Sequence, residues 1–333
     1  MSEGTKFSIV VVAYECAGPL ATLIDSMNVH LGSDVELIVV DNASTDHPER
    51  VAQTWKGPGA YLRLGSNHGF GAGVNTGVLA ATGETIVVLN PDTKLIDGSL
   101  AQLARVASDE RTLAGPRVLH PDGTPQASAS GSPVGIWPWL RAALPAGAAP
   151  RALVARLHPS RLSAPTEVSW LTGSCIAAPR DVLRGLGPFD PSIHMYGEDL
   201  DLGIRAGQAG VRMVHRPDVC VVIHYGKASS SGVYSDLGRA QAALNGRSVL
   251  RRAYGPRREW LAWMAERTSL AIRVRTKSIL GRDSDWERLV AAGLREARPV
   301  HVLREFPVRP PEPPAPLAVT RLNQAGGQAN EPS

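Results

Sequence analysis

Cysteine is scarce in this chain, with three among 333 residues, at Cys16, Cys175 and Cys220. The three are far apart and each lies in apolar sequence, which predicts buried, reduced thiols. This spacing argues against a disulfide framework and against a cysteine-based zinc site.

The chain also lacks long hydrophobic runs and a strong charge of one sign. No stretch of about 18 apolar residues is present, so no membrane-spanning helix is predicted. The first apolar run, Phe7 to Ala13, is too short for a signal peptide and follows no basic region, which makes the cytoplasm the expected compartment. A formal net charge of +4 and a pI of about 9.1 are only mildly basic, so no nucleic-acid partner is expected.

Short apolar runs alternate with helical patterns through the first 110 residues. Four runs are predicted to be buried strands because they are short, continuous and apolar, and mostly rich in β-branched residues; they lie at 8–14, 36–40, 60–64 and 85–89. The alternation predicts an α/β fold with a Rossmann-like, mostly parallel sheet flanked by helices. Ligands of such sheets bind beyond the carboxyl ends of the strands, where Tyr14, Asp41 and Asp92 fall.

Polar residues at two of these strand ends each have two interpretations. Asn90-Pro91-Asp92 follows the fourth strand, where a carboxylate could hold Mg²⁺ or Mn²⁺ against a diphosphate, but the tripeptide is also a good turn. Asp41 with Asn42 could hydrogen-bond a base or ribose, or could form an Asx-type turn. Neither choice can be made from the local sequence.

Three further features have a functional and a structural interpretation. The glycine-rich segment from Asn67 to Gly77 would allow close approach of a ligand, but it is neither a dinucleotide fingerprint nor a Walker loop. His224 ends a later strand and is either a packed polar residue or a metal ligand. Trp170 is either a core aromatic or an apolar face for a sugar ring.

Carboxylates crowd together at 197–202, in the sequence Gly-Glu-Asp-Leu-Asp-Leu. If a helix starts here, Glu198, Asp199 and Asp201 occupy its first turn, where the helix dipole favours anions. Arg205 is then an i,i+4 partner for Asp201. The alternative is a site in which adjacent carboxylates of unlike environment separate a general base from structural acids.

Seven motifs in order resemble one known family. They are Val-Val-Ala-Tyr (11–14), Asp-Asn-Ala-Ser-Thr-Asp (41–46), Asn-His-Gly-Phe-Gly-Ala-Gly-Val-Asn (67–75), Leu-Asn-Pro-Asp (89–92), Trp-Leu-Thr-Gly-Ser (170–174), Gly-Pro-Phe-Asp (187–190) and Gly-Glu-Asp-Leu-Asp-Leu (197–202). Together they resemble glycosyltransferase family 2, with its GT-A fold, and most closely its bacterial rhamnosyltransferase-like subgroup. The resemblance covers roughly residues 7–254.

The resemblance implies an inverting transferase that uses a nucleotide-diphospho-sugar, with dTDP-L-rhamnose favoured over a UDP- or GDP-sugar, and Mg²⁺ or Mn²⁺. It assigns the metal to Asp92 and His224, the base to Asp199 and a supporting or acceptor-binding role to Glu198. The residues expected at the nucleotide-sugar are Tyr14, Asp41, Asn67, Gly69, Asn75 and Asn90, with Trp170 as a candidate sugar platform. A non-catalytic nucleotide-sugar-binding scaffold is the alternative from another class.

The sequence and the family resemblance together predict how the chain is divided into regions. A GT-A catalytic domain is expected over 1–234, with 120–166 as a mobile insertion and possible acceptor lid. A basic, amphipathic helical region is expected over 235–305, followed by a disordered, proline-rich tail over 306–333. The helical region carries tryptophan and arginine, so it either binds an anionic membrane face or packs on the catalytic domain. Membrane binding would suit a polyprenyl-diphosphate-linked acceptor and a peripheral location on the inner face of the cell membrane.

Overall fold

The structure is a computed structural model that describes residues 7–144, 149–226, 236–279 and 313–323, with isolated positions at 281, 283, 284, 288, 291 and 292. The strands are β1 Phe7–Ala13, β2 Val35–Asp41, β3 Gly59–Arg63, β4 Thr85–Leu89, β5 Thr93–Leu95, β6 Leu113–Gly115, β7 Arg117–Leu119, β8 Ala129–Ser130, β9 Thr166–Val168, β10 Trp170–Leu171, β11 Cys175–Pro179, β12 Met213–His215, β13 Val221–His224 and β14 Ala318–Leu322. The helices are α1 Ala17–His30, α2 Pro48–Ala52, α3 Phe70–Ala80, α4 Ser99–Glu110, α5 Trp137–Ala143, α6 Arg151–Leu157, α7 Arg180–Leu186, α8 Glu198–Gln208, α9 Asp236–Tyr254 and α10 Pro256–Ile279, with a 3₁₀ turn at Pro159–Arg161.

The central sheet has the order β14-β3-β2-β1-β4-β11-β6-β12-β9 among the described residues. The run β3-β2-β1-β4 is parallel, and β11 is inserted antiparallel beside β4. Because the four parallel strands point the same way, their carboxyl ends meet at one edge, with Ala13 in register with Asp41. The α/β fold predicted from the sequence is confirmed.

Helices cover both faces of the sheet because the β-branched strands are apolar on both sides. Ile9 and Val11 of β1 pack into one core with α1 and α4, and Val10 and Val12 pack into a second core with α3. A Cβ added at Gly77 of α3 would lie 2.3 Å from Val10 Cγ1. The glycines of this helix therefore permit close packing of helix on sheet.

A small second sheet, β5-β13-β7, lies next to the end of β4. It pairs His224 of β13 with Thr93 of β5, one residue after Asp92. Backbone hydrogen bonding from Tyr225 N to Asp92 O, 2.9 Å, continues this register. The topology therefore brings His224 beside Asp92, although 132 positions separate them in the sequence.

The proline-rich tail is ordered at 313–323, and the prediction of disorder is wrong for these residues. Strand β14 pairs antiparallel with β3 and covers what would be an open sheet edge. Leu322 is buried in the core on the α1 side, and Thr76 donates its hydroxyl to the backbone oxygen of Pro314. The remainder of the predicted tail lies outside the described residues.

The predicted insertion and C-terminal region meet each other in the fold. Within 120–166, β8 pairs with β10 and α5 packs against α10. Helix α9 packs on α8 through Val249, Ile204 and Ile193. None of the helices in the described ranges has an apolar stretch long enough to cross a membrane. The mobility of the insertion stays a prediction.

Candidate active site

A cavity of about 580 Å³ opens beyond the carboxyl ends of β1, β2 and β4. Its polar and aromatic lining comprises Tyr14, Asn42, Asn67, Phe70, Asn90, Asp92, Gln126, Ser128, Thr172, Ser174, His194, Tyr196, Glu198, Asp199 and His224. Seven of the residues predicted for the site are brought together on this one surface, including all four predicted for the base and the metal. The cavity lies where an open α/β sheet is expected to bind its ligand.

Asp199 lies at the start of α8 and its carboxylate is held by backbone N–H groups. Leu200 N donates to Oδ1 at 2.7 Å, and Gly173 N, from the loop after β10, donates to Oδ2 at 3.2 Å. Burial raises the pKa of Asp199, and these two hydrogen bonds oppose the rise. The N–H groups and the helix N-terminus both favour the ionised carboxylate.

Glu198 has less hydrogen-bond support than its neighbour. Its side chain is buried, and Oε2 accepts no hydrogen bond from the described residues. Burial raises the pKa of Glu198, and the negative charge of Asp199 raises it further. The pKa of Glu198 rises to about 8, whereas the two backbone hydrogen bonds to Asp199 hold the pKa of that carboxyl below the level that burial alone would produce. Glu198 therefore keeps its proton.

Asp92 and His224 face each other at the other strand end. Asp92 is almost fully buried, and its Oδ1 lies 3.2 Å from His224 Nε2. The preceding turn is closed by Thr93, whose N and Oγ1 both donate to the backbone oxygen of Asn90. A carboxylate oxygen and an imidazole nitrogen at this separation are a donor pair suited to a divalent cation.

The donor set fits a cation that is shared with a phosphate-bearing ligand. Across the described part of the chain, no group of three or more His, Cys, Asp and Glu side chains is gathered for a metal. Mg²⁺ is commonly held by one or two protein ligands together with substrate phosphates. Asp92 and His224 could therefore hold Mg²⁺ or Mn²⁺ with a diphosphate, with Asn90 adjacent to the pair at 3.4 Å from His224 Nε2.

Asp41 lies behind the cavity wall and is already engaged by the protein. Its side chain is fully buried and accepts hydrogen bonds from Ser44, the Tyr61 hydroxyl and Arg63 Nη1. Its carboxylate raises the pKa of Tyr61, an effect that adds to burial. Asn42, the next residue, lines the cavity instead. The local contacts favour the Asx-type turn that the sequence left open.

Asn75 and Gly69, two other predicted contacts, serve the packing of the cavity wall. Asn75 donates to the Phe189 oxygen at 2.7 Å and accepts from Phe189 N at 3.0 Å, so its amide is used within the protein. Gly69 has φ 89°, and an added Cβ would lie 2.2 Å from the His194 backbone oxygen. This glycine is required because the His194 loop lies directly against it.

Trp170 also lies away from the cavity lining, as far as the described residues define it. Its strand packs on α8, where an added Cβ at Gly203 would lie 2.5 Å from Trp170 Cβ. Trp170 is thus half-buried between β8 and α8. Of the two interpretations, its position supports the structural one.

Helix α9 supports part of the cavity wall, a role that the sequence did not predict. Asn245 of α9 donates to the backbone oxygens of Met195 and Tyr196 at 2.8 and 3.0 Å, and these two residues line the cavity. Arg252 bridges Asp201 of α8, at 2.7 Å, and Asp190, at 3.2 Å. Asp201 is therefore a structural acid that attaches α9 to the catalytic region.

Three residues that line the cavity, Gln126, Thr172 and Ser174, were not predicted from the sequence. Gln126 contacts His224 across 98 positions from within a Gly/Pro-rich stretch that carries no motif. Thr172 and Ser174 share a hydrogen bond of 2.8 Å and flank the N–H that reaches Asp199. The motif Trp-Leu-Thr-Gly-Ser includes this loop, but Trp170 was the residue of the motif that was predicted to contact the sugar.

The fold of this chain resembles that of a solved structure. A mannosyltransferase from Pyrobaculum calidifontis, solved in complex with GDP-Man and Mn²⁺, superimposes with a TM-score of 0.55 at 16% identity, covering 89% of this chain and 88% of that one. At this identity the similarity concerns the fold alone. It defines the chain as a GT-A fold protein.

Sequence comparison gives the family. Residues 8–144 match Glycosyl transferase family 2. The chain is 32% identical over 241 residues to the N-acetylglucosaminyl-diphospho-decaprenol L-rhamnosyltransferase of Mycobacterium tuberculosis, covering 67% of this chain and 77% of that one. It is 31% identical over 233 residues to the O-antigen biosynthesis protein RfbC of Myxococcus xanthus, covering 66% of this chain and 17% of that one. The chain belongs to glycosyltransferase family 2 and is a glycosyltransferase.

Proposed function

We propose that this enzyme transfers L-rhamnose, with inversion, from dTDP-L-rhamnose to a polyprenyl-diphosphate-linked GlcNAc acceptor in cell-wall or polysaccharide assembly. The observation that carries the proposal is that Asp199, whose carboxylate accepts two backbone hydrogen bonds, lies in the same cavity as the Asp92–His224 pair. The name of the Mycobacterium tuberculosis relative supports this choice of sugar and acceptor.

At the donor end, residues at the ends of β1 and β4 meet the nucleotide-diphospho-sugar. Tyr14 is 43% exposed on the cavity rim, where its ring can contact a base, and Asn67 lies beside it in the lining. Asp92 and His224 would hold Mg²⁺ or Mn²⁺ against the diphosphate. When bound, the cation neutralises negative charge on the leaving nucleoside diphosphate.

At the acceptor end, Asp199 acts as the general base. It accepts the proton of the attacking hydroxyl as that oxygen forms a bond to the anomeric carbon, and the bond from this carbon to the diphosphate oxygen breaks. The proton ends on Asp199 and the electron pair ends on the nucleoside diphosphate. Glu198, being protonated, can donate a hydrogen bond to the acceptor without competing as a base.

We further infer that the protein lies at the inner face of the cell membrane through α10. Trp260 and Leu261 of this helix are 52% and 45% exposed, and Arg257 and Arg258 precede them on exposed surface. Apolar and basic side chains together suit an anionic membrane. Vesicle flotation with phosphatidylglycerol should recover wild type and lose the Trp260→Ala/Leu261→Ala variant, whereas Leu79→Ala, at an exposed apolar site elsewhere, should float normally. Equal flotation of all three would contradict the role of α10.

The donor is identified by a panel of nucleotide-sugars with purified protein, Mg²⁺ or Mn²⁺ and lipid-linked GlcNAc, followed by release of nucleoside diphosphate. Release from dTDP-L-rhamnose that needs the acceptor and stops with EDTA is expected. Release from a UDP- or GDP-sugar instead would leave the proposed reaction mechanism in place and show that the donor is not dTDP-L-rhamnose. Tight nucleotide binding without release from any donor would support a non-catalytic scaffold.

A further inference from the structure

Contacts with two backbone oxygens, those of His224 and Leu119, determine how the Gln126 amide is oriented. Gln126 Nε2 lies 2.7 Å from the backbone oxygen of His224 and 3.5 Å from that of Leu119. A carbonyl oxygen only accepts hydrogen bonds, so the NH₂ side of the amide must face these two oxygens. The amide oxygen of Gln126 therefore faces the imidazole ring.

This orientation decides which ring nitrogen of His224 is protonated. Gln126 Oε1 lies 2.9 Å from His224 Nδ1. An amide oxygen also only accepts, so Nδ1 must carry a hydrogen. In the neutral imidazole the lone pair is then on Nε2, the nitrogen that lies 3.2 Å from Asp92 Oδ1.

Gln126 is well placed to hold this arrangement because its backbone is fixed. Its N–H donates to the Val118 oxygen of β7 at 2.9 Å, and β7 is the parallel neighbour of β13, which carries His224. Between Val118 and Gln126 the chain reverses in the His120–Thr124 turn, which is closed by a backbone hydrogen bond of 2.8 Å and has Gly123 at φ 82°. Strand pairing and a tight turn thus set the distance between the amide and the ring.

We propose that Gln126 is a positioning residue that keeps His224 in the Nδ1–H tautomer and so presents the Nε2 lone pair to a divalent cation beside Asp92. The link to the cation rests on the proposed function, whereas the tautomer itself does not. Partners of this kind, which hydrogen-bond the distal nitrogen of a ligating histidine, commonly change metal affinity by about 10–100-fold when removed.

The tautomer is read directly from ¹⁵N-histidine NMR spectra of the metal-free protein, recorded at a pH where the spectra themselves show a neutral His224 ring. The His224 signals are assigned by their loss in His224→Gln. We expect the Nδ1–H pattern in wild type and a shift toward Nε2–H in Gln126→Met. An Nε2–H pattern in wild type, or no change in Gln126→Met, would overturn the inference.

Affinity for Mn²⁺ alone, followed by the free-ion EPR signal, tests the consequence. Gln126→Met is expected to bind Mn²⁺ about 10–100-fold more weakly. Gln208→Met, at the exposed end of α8, is the matched control and should bind normally. Unchanged affinity in Gln126→Met despite an altered tautomer would refute the link to the cation. If wild type bound no Mn²⁺, the metal role in the proposed function would fail, and the NMR result would still decide the tautomer.

Discussion

Isosteric amide substitutions distinguish the two adjacent carboxylates. In Asp199→Asn the proton acceptor is lost, and general-base catalysis contributes about 10²–10⁴-fold, so turnover should fall by at least about 100-fold. The asparagine oxygen can still accept one of the two backbone N–H groups at Asp199, and loss of the other should cost about 1–3 kcal/mol of stability. Glu198→Gln reproduces the neutral form of Glu198 and should keep turnover within a few-fold of wild type.

The assay is acceptor-dependent release of nucleoside diphosphate as a function of pH, with melting temperatures to confirm folding. Asp199 must be ionised to act, and its pKa is raised above the ordinary 3.8, so activity should fall as pH drops through this raised value. Glu198 stays protonated over the acidic pH range in which Asp199 titrates, so Glu198→Gln should still show the fall of activity at low pH. An inactive, folded Glu198→Gln together with an active Asp199→Asn would reverse the assignment.

Three stability predictions follow from contacts outside the cavity. Arg252→Met removes the cation that faces buried Asp190 and leaves buried Asp201 with Arg205 alone, so it should lose about 3 kcal/mol in urea unfolding, whereas exposed Arg251→Met should lose almost nothing; equal losses would refute the bridging role. His215 is fully buried, and burial lowers its pKa from 6.5 to about 4. The free energy of unfolding should therefore be highest above pH 6.5 and fall by up to about 3 kcal/mol as the pH drops to 4. His215→Gln should flatten this pH dependence. Gly77→Ala should lose about 1–3 kcal/mol through overpacking on β1, while Gly18→Ala, with nothing within 4 Å, should be neutral or stabilising; a neutral Gly77→Ala would contradict the close packing.

The parallel strands were predictable because a strand buried on both faces is mostly apolar along its whole length. The runs at 8–14, 36–40 and 85–89 correspond to β1, β2 and β4, and residues just beyond these strands line the cavity. Strand β14 was missed for the opposite reason. It follows a proline run, and its stability comes from covering the edge of β3, which no local pattern reveals.

Within the site, the sequence indicated the reacting groups better than the groups that support them. Asp92, His224 and Asp199 lie at or next to the ends of regular elements, so the pattern of strands and helices predicts where they lie. Asn75 was assigned to the ligand, but its amide is used by Phe189, a contact across 114 positions. The orientation of the Gln126 amide likewise depends on a distant group, the backbone oxygen of His224. Such pairings depend on tertiary structure and leave no local signature.

The most direct test of the proposed reaction is the anomeric configuration of its product. Wild-type protein, dTDP-L-rhamnose, Mg²⁺ and polyprenyl-diphosphate-linked GlcNAc would be incubated, and the one-bond ¹H–¹³C coupling at the new anomeric carbon would be measured by NMR. A single displacement with Asp199 as base predicts a rhamnosyl-GlcNAc whose anomeric configuration is opposite to that of the donor. A product with the donor's configuration, or no rhamnosyl product from active enzyme that accepts another sugar, would contradict the proposal.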